Sequence, residues 1–480
     1  MDDDPHEDYD DGPHEDHHES PQDVIVVDDE RNQKRRCSWQ CICRFCICVP
    51  GTMLWFVVFL LVVPNGYAPA TKPTPVPTPV PTPVPTTAPT PVPTPVPAPV
   101  TASPTYSPRD LVALIQSRLP SVSFDNATSP ESRAFVWMTE VDTRNHDTLS
   151  DDQLVQRFAM AAMGMSINGL SNILTSGAEC SRRSNRLACN SLGEVYQIVV
   201  LLDSLSGSIP VSIGLLTNIE RVEFWSNQLT GTIPSEVGGL TALTTLRLLS
   251  NALTGSIPSE VGRLTALTEL VLARNKLTGS IPSEVGGLTA LADLDFFGST
   301  LTGKIPTEVG GLTALTTLNL ASNALTGKIP TEVGGLTRLT VLWLAQNILT
   351  DTIPTEVGGL TRLRALSLYN NSLTGTIPSE VGGLTALTEL WLSFNKLTDT
   401  IPTEVGGLIP LTRLGLNDNQ LNGKIPTEVG GLTRLTWLDL YNNGLTGTVP
   451  TRLCGYVRPQ IDCGEIVCDC CRNDRNRQCP

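Results

Sequence analysis

At 480 residues the chain has room for several domains, and its formal net charge of −15 gives no reason to expect nucleic acid as a partner. The charge is uneven: residues 1–36 hold fourteen Asp or Glu against four Lys or Arg, so about −10 lies in this tail. A run of that kind buries too little apolar surface to offset its ordering entropy, which predicts a disordered tail with no fold for catalysis.

Within the tail, His14, His17 and His18 of "HEDHHES" could hold a divalent cation only weakly, and a solvated acidic segment without metal is expected. From Phe45 to Val63 the chain runs 19 residues without a charge, close to a membrane span. Lys34, Arg35, Arg36 and Arg44 precede it and only Lys72 follows closely, so the positive-inside rule orients the tail to the cytoplasm and the remainder outside. The alternative is a signal peptide cut after Ala68 or Ala70, for which the preceding charged region is far too long. In the 37–63 segment, Cys37, Cys41, Cys43, Cys46 and Cys48 crowd the cytoplasmic edge of the span, where palmitate is commonly attached.

Residues 64–104 are rich in Pro and Thr, and proline at every second or third position predicts an extended polyproline II stalk of about 100 Å. Residues 105–193 turn helical. "SPRDLVALI" and "SPESRAFVW" set Ser at a cap before Pro, and "SDDQLVQRF" reads as a capping box. Leu111 with Ile115, Ala134 with Met138, and Leu154 with Phe158 share an apolar face.

From 194 to 450 the phrase "LTALTTLRLLSNALTGSIPSEVGG" recurs about every 24 residues, marked by Asn227, Asn251, Asn275 and successors to Asn443, with Asp203 and Ser299 at the same phase. The spacing L-x-x-L-x-L predicts one short strand per turn, followed by an Asn whose amide bonds the backbone of the bend. A single turn cannot close a core, so about eleven turns stack into an α/β solenoid. The Glu column from Glu236 to Glu428 follows Ser or Thr in each turn, and that hydroxyl is expected to cap a short helical turn.

The phrase "LTGxIPxEVGGL" resembles the plant-type leucine-rich repeat, and with "SPESRAFVWM", "LSDDQLVQRFAMA" and "DCGEIVCDCC" the chain resembles diatom-type membrane-anchored leucine-rich repeat proteins. The resemblance implies an arc with a parallel sheet on its concave side, used for recognition. It implies a helical N-terminal cap and a Cys-rich C-terminal cap at 451–480. Plant receptors of this kind carry their membrane helix after the repeats and often a kinase beyond; here the apolar segment comes first.

Cys180 and Cys189 precede the first turn, and Cys454, Cys463, Cys468, Cys470, Cys471 and Cys479 follow the last. Even numbers at the open ends of an extracellular solenoid predict disulfides, three at the C-terminus, with undetermined pairing.

Outward positions of the sheet give two candidate ligand-binding patches: an acidic one at Glu269, Asp293 and Asp295 beside Phe297, and an aromatic one at Trp343, Tyr369, Trp391 and Phe394. Aromatic side chains supply interface area at low entropy cost or stack on sugars. Glu269 and Asp293 on neighbouring strands have a spacing compatible with a retaining glycosidase, but no device to raise one carboxylate's pKa is evident and no enzyme is expected. His146, alone in the helical segment, reads as a surface histidine. Asn126 and Asn370 begin N-glycosylation sequons.

"GSTLTGKI", from Gly298, spells most of a phosphate loop, yet Ile305 stands where Ser or Thr should be, and Gly303 and Lys304 are repeat positions. No nucleotide and no cofactor are expected. The expected function is a membrane-anchored extracellular recognition or adhesion protein. Its partners would be a protein, peptide or glycan, the lipid bilayer and a membrane co-receptor. The competing reading is a structural spacer or tether without a specific ligand.

Overall fold

The computed structural model describes residues 107–142, 146, 149–170, 186–201, 203–455, 457, 459–462, 466–468, 470 and 471. The acidic tail, Cys37, Cys41, Cys43, Cys46 and Cys48, the apolar segment 45–63 and the stalk lie outside these residues, as do Cys180, Cys463 and Cys479. Among the described residues no helix is long and apolar enough to cross a membrane.

Each repeat folds as its spacing requires. In the strand Thr245–Arg247, Leu246 turns inward while Thr245 and Arg247 turn to the other side, the alternation of any β-strand. Ile233, Val237, Leu240, Leu243, Leu246, Leu248 and Leu253 fill one turn, each at most 3 % exposed. Burying each such side chain contributes about 1.5–3 kcal/mol, so the turns adhere through leucine rather than through the backbone alone. Three-residue strands then pair in parallel, with Leu246 beside Val222 on one side and Leu270 on the other. The result is a twelve-stranded sheet from Leu187–Cys189 to Trp437–Asp439, antiparallel only at its first pair.

The Asn ladder, buried or half-buried, is tied more tightly than the bend alone requires. Asn251 Nδ2 donates to Leu248 O at 3.0 Å within its turn and to Phe224 O at 2.7 Å in the turn before. Its Oδ1 accepts from Leu229 N–H at 3.0 Å, again one turn back. Ser299 breaks this series: its Oγ is buried without a hydrogen-bond partner, and the rung it would make to Leu277 N–H is missing.

Opposite the sheet, five-residue 3-10 turns such as Ser235–Gly239 stack on one another. They approach so closely that a Cβ on Gly238 would lie 2.6 Å from Glu260 O, which excludes any side chain there. The expected Ser and Thr caps are not found. Pro234 holds the cap position at ψ 143°, no side-chain cap bond forms, and Ser235 Oγ instead donates to Glu236 Oε2 at 3.3 Å. Proline has already set the entry dihedral, which leaves the hydroxyl one residue inside the turn.

The residue before each ladder Asn has φ near +55°, as in Ser226 (57°), Arg274 (54°) and Phe394 (56°). In one turn that residue is Gly298, the type best suited to the conformation.

Among the described residues three α-helices precede the repeats: α1 (Pro108–Arg118), α2 (Pro130–Val136) and α3 (Asp151–Ser166). Ser107, Ser129 and Ser150 cap them, and Gln153 completes a capping box with Ser150. Leu111, Ile115, Ala134, Met138, Leu154 and Phe158 are all buried in a core continuous with that of the repeats. Buried Glu131 accepts a hydrogen bond from Ser212 N–H in the first 3-10 turn at 3.4 Å. His146 is not on the open surface as expected. Its Nε2 lies 2.9 Å from Asp142 Oδ2, and its side chain is only 19 % exposed, because Asp142 also binds the buried Arg157.

At the other end Cys454 pairs with Cys470 and Cys468 with Cys471, each with Cα atoms 5.5 Å apart. Cys189 is also disulfide-bonded. Val449 N–H bonds Val467 O, so the disulfide-bearing segment continues the hydrogen-bonding of the last turn.

Candidate functional site

Both predicted patches lie on the outward face of the twelve-stranded sheet, and they are nearer to one another than two separate sites would be. Asp295 is register-paired with Asn319, and Asn319 with Trp343, so a single strand separates the acidic patch from the aromatic one. At the usual strand spacing this is about 10 Å. Asn319 is buried and its Oδ1 accepts from Ala321 N–H, so the intervening strand offers little polar surface of its own.

In the acidic patch Asp293 sits beside Glu269 and Thr317 in register. Arg247 Nη2 lies 2.5 Å from Glu269 Oε2, an ion pair whose angle does not meet hydrogen-bond geometry. Asp293 Oδ1 is buried and has no hydrogen-bond partner. Burial above all, then the charges of Asp295 and Glu269, push the Asp293 pKa up to about 6, against a smaller opposing pull from Arg247. The sequence reading saw no device to raise a carboxylate's pKa here. The device is desolvation, which a column of letters does not display. Burial also raises Asp295, whose Oδ1 accepts from Phe297 N–H at 3.0 Å. Arg274 lies over the Phe297 ring at 5.6 Å, at the edge of the same patch.

The aromatic patch is built around Ser367, a buried residue register-paired with Trp343 on one side and Trp391 on the other. Trp343 is 38 % exposed and Phe394 50 %, whereas Tyr369 and Trp391 are half-buried. Burial raises the Tyr369 hydroxyl pKa. Phe394 holds its left-handed backbone despite its bulk, a conformation that disfavours large side chains.

Gly415 is a neighbour of the aromatic patch that the sequence reading passed over. A Cβ there would lie 2.7 Å from Trp391 Cε3, so the indole ring lies directly over the glycine backbone. Trp391 Nε1 donates to Glu389 Oε2 at 3.2 Å, and Arg413 Nη1 is 2.7 Å from Glu389 Oε1. The ring is therefore held at its edge and supported from beneath. Trp437 with Asp439 (2.8 Å) and Trp225 with Glu223 (3.3 Å) repeat the pairing at a separation of two residues. That i, i+2 coincidence of Trp and carboxylate was the available signal. Burial carries the Asp439 pKa to about 6 as well, less a lowering by the Trp437 bond.

Comparison with known proteins follows the same lines. Residues 297–404 match the family model described as leucine-rich repeat region, and 266–288 and 434–456 match the Leucine Rich Repeat model. No curated protein matches the chain. The Arabidopsis receptor kinase HAESA, solved with the peptide hormone IDA and the co-receptor SERK1, is 29 % identical, with 67 % of this chain and 58 % of that one aligned at TM-score 0.54. PEPR1 with AtPEP1 is 27 % identical over 65 % and 52 % at 0.51. A plant ice-binding protein is 25 % identical over 68 % and 96 % at 0.50. The chain thus spans little more than half the length of the two receptor structures. Sequence period, ladder and structural neighbours agree: the repeats of residues 195–450 form a solenoid of stacked parallel strands with leucine-rich repeat matches, similar to the plant receptor structures.

Proposed function

We propose that the solenoid binds a peptide or an extended protein segment outside the cell, on the sheet face that carries Trp343, Tyr369, Trp391 and Phe394. The reading includes anchoring by the apolar segment 45–63 and closure of the solenoid's N-terminal end by the three helices, as in the diatom-type proteins the sequence resembles. The observation that carries it is the held indole of Trp391 beside exposed Trp343 and Phe394. An aromatic side chain fixed in place yet open to solvent loses little entropy on binding, which suits an interface anchor. The peptide-bound receptors among the structural neighbours support the same reading. The acidic patch next to it would favour a ligand with a cationic residue on that side.

A peptide and glycan array probed with the full chain and with Trp343→Ala/Trp391→Ala tests this. Saturable binding to a defined set of peptides, weakened at least about tenfold in the double variant, is expected, since each lost anchor is worth about 1 kcal/mol or more. Equal and non-saturable binding by both would favour a spacer or tether instead.

A second reading rests on a different surface. Thr230, Thr254, Thr278 and their successors at the same phase to Thr446 form a mostly exposed column, broken by Asn422. The hydroxyls of Thr230, Thr254, Thr326 and Thr446 donate to the glycine carbonyl one turn back, at 3.1 to 3.3 Å. Threonine χ1 is stiff, so methyl and oxygen recur at fixed positions about 4.8 Å apart. Such regularity suits an ordered water lattice, and the plant ice-binding neighbour supports it. Thr278→Lys/Thr350→Lys should then abolish inhibition of ice recrystallisation while Trp343→Ala leaves it intact. Absence of inhibition by the unaltered chain would dismiss this second reading.

A further inference from the structure

The repeat turn between the two tryptophans carries a feature that neither binding reading uses. Ser367 pairs with Trp343 and with Trp391, so the turn it begins is flanked by both rings. Three residues on, Asn370 opens the sequon Asn370-Asn371-Ser372. The two asparagines diverge. Asn371 turns inward as a ladder residue, its Nδ2 3.0 Å from Leu344 O. Asn370 is exposed, with φ +54°, and its backbone is fixed by the bonds of its N–H to Ser393 O and of its C=O to Asn347 N–H.

Neighbouring positions of the same column engage one another, Ser322 with Gln346 at 2.6 Å and Asn442 with Asp418 at 2.5 Å. The Asn370 side-chain amide makes no such bond and stands between Gln346 and Phe394, one turn to either side. It is the accessible, uncommitted amide that an N-glycan requires, and it occurs where a glycan would have most effect on the patch.

We propose that Asn370 carries an N-linked glycan that screens the patch of Trp343, Tyr369 and Phe394, so that slender, extended peptides reach it and broad folded surfaces do not. In the attachment, the amide nitrogen of Asn370 bonds to C1 of the first sugar of a polyisoprenyl diphosphate oligosaccharide. The C1–oxygen bond breaks, the lipid diphosphate departs, and the amide loses one proton; a secretory-pathway transferase supplies the catalysis. The screening half of the inference rests on the binding reading only for its purpose. Its geometry is independent of any ligand.

The full chain, made in a eukaryotic secretory host, provides the test. Enzymatic glycan release in 18O-water should leave labelled aspartate at 370; an unlabelled Asn370 peptide would overturn the proposal, and a labelled Asn126 peptide beside it would show that the machinery had reached the chain. Hydroxyl-radical footprinting should then show Trp343, Tyr369 and Phe394 oxidising several-fold faster in Asn370→Gln and in Ser372→Ala, with Trp225 and Trp437 unchanged. Ser372→Thr should keep both the glycan and the slow rates. Equal oxidation with and without the glycan overturns the screening. If screening holds while no peptide binds, the binding reading fails alone.

Discussion

Asn347→Ala should lower the unfolding free energy of the repeats by about 2–5 kcal/mol, the largest stability change expected of a substitution in this chain. Asn347 is 8 % exposed, and its Nδ2 donates to Leu320 O at 3.0 Å, Leu344 O at 3.1 Å and Ala345 O at 3.3 Å. Its Oδ1 accepts from Leu325 N–H at 3.0 Å. Alanine removes all four bonds and, in the preceding turn, leaves Leu325 N–H without its side-chain partner and Leu320 O with Asn323 Nδ2 at 3.1 Å as its remaining one. An unsatisfied buried group costs about 1–3 kcal/mol, whereas an exposed Asn→Ala in a loop falls within about 0.5 kcal/mol. Because stability in a solenoid is a sum over turns and their interfaces, the loss should appear at the interface of turns 325 and 347 rather than evenly. Denaturant unfolding followed by amide exchange at Leu325 checks both points. A change below about 1 kcal/mol would mean that leucine packing alone sets the bend. Ser299 supplies the converse: Ser299→Asn should restore the rung to Leu277 N–H and slow exchange there.

Asp293→Asn should stabilise the chain at pH 8 by up to about 3 kcal/mol and have almost no effect below pH 4. The sign follows from the direction of the shift. Burial holds the folded-state pKa at about 6, above the ordinary 3.8. The stability from this group is therefore fully present below 3.8 and is lost as pH rises through 6, when a poorly solvated carboxylate must ionise beside Asp295 and Glu269. Asparagine keeps the shape and never ionises. Thermal melts of both proteins from pH 4 to pH 8 should diverge mainly between these limits. Parallel curves would show that water or Arg247 solvates Asp293 better than its burial implies. Where the acidic patch contacts a cationic ligand, the same titration would weaken binding below about pH 6, since the patch then loses a charge.

Much of the solenoid was legible because period and chemistry coincide. A leucine at Leu246 and its equivalents can point only inward, and an Asn that recurs every turn must serve the turn itself. The outward positions were legible from the spacing, and Glu269, Asp293, Asp295, Trp343 and Trp391 do lie in register on one sheet, whereas Tyr369 and Phe394 fall past the ends of their strands. What escaped the reading depends on neighbours that no single column contains. The Asp293 shift combines its burial with charges on three strands, those of Asp295, Glu269 and Arg247. Gly415 looks like a gap in its column, and only the Trp391 ring one turn earlier makes it a floor. The Ser235-type hydroxyls were assigned as caps because their spacing allows it, although Pro234 already occupies that position. The bridges Cys454–Cys470 and Cys468–Cys471 required coordinates, since six C-terminal cysteines alone permit fifteen connectivities.

The bonds of the ladder also set rules for how such a chain can change in length. Asn251 binds its own turn through Leu248 O and the previous turn through Phe224 O and Leu229 N–H, and Asn275 does the same with Leu272 O, Leu248 O and Leu253 N–H. Excising one whole period therefore brings a donor and an acceptor of the same kind to each vacated place, and the junction closes without an orphaned group. Excising half a period would set an exposed threonine opposite a leucine and leave both broken. Length in this solenoid is quantised, and with near-identical turns as its currency the face that meets a ligand can be lengthened or shortened by whole strands while every remaining residue keeps its task.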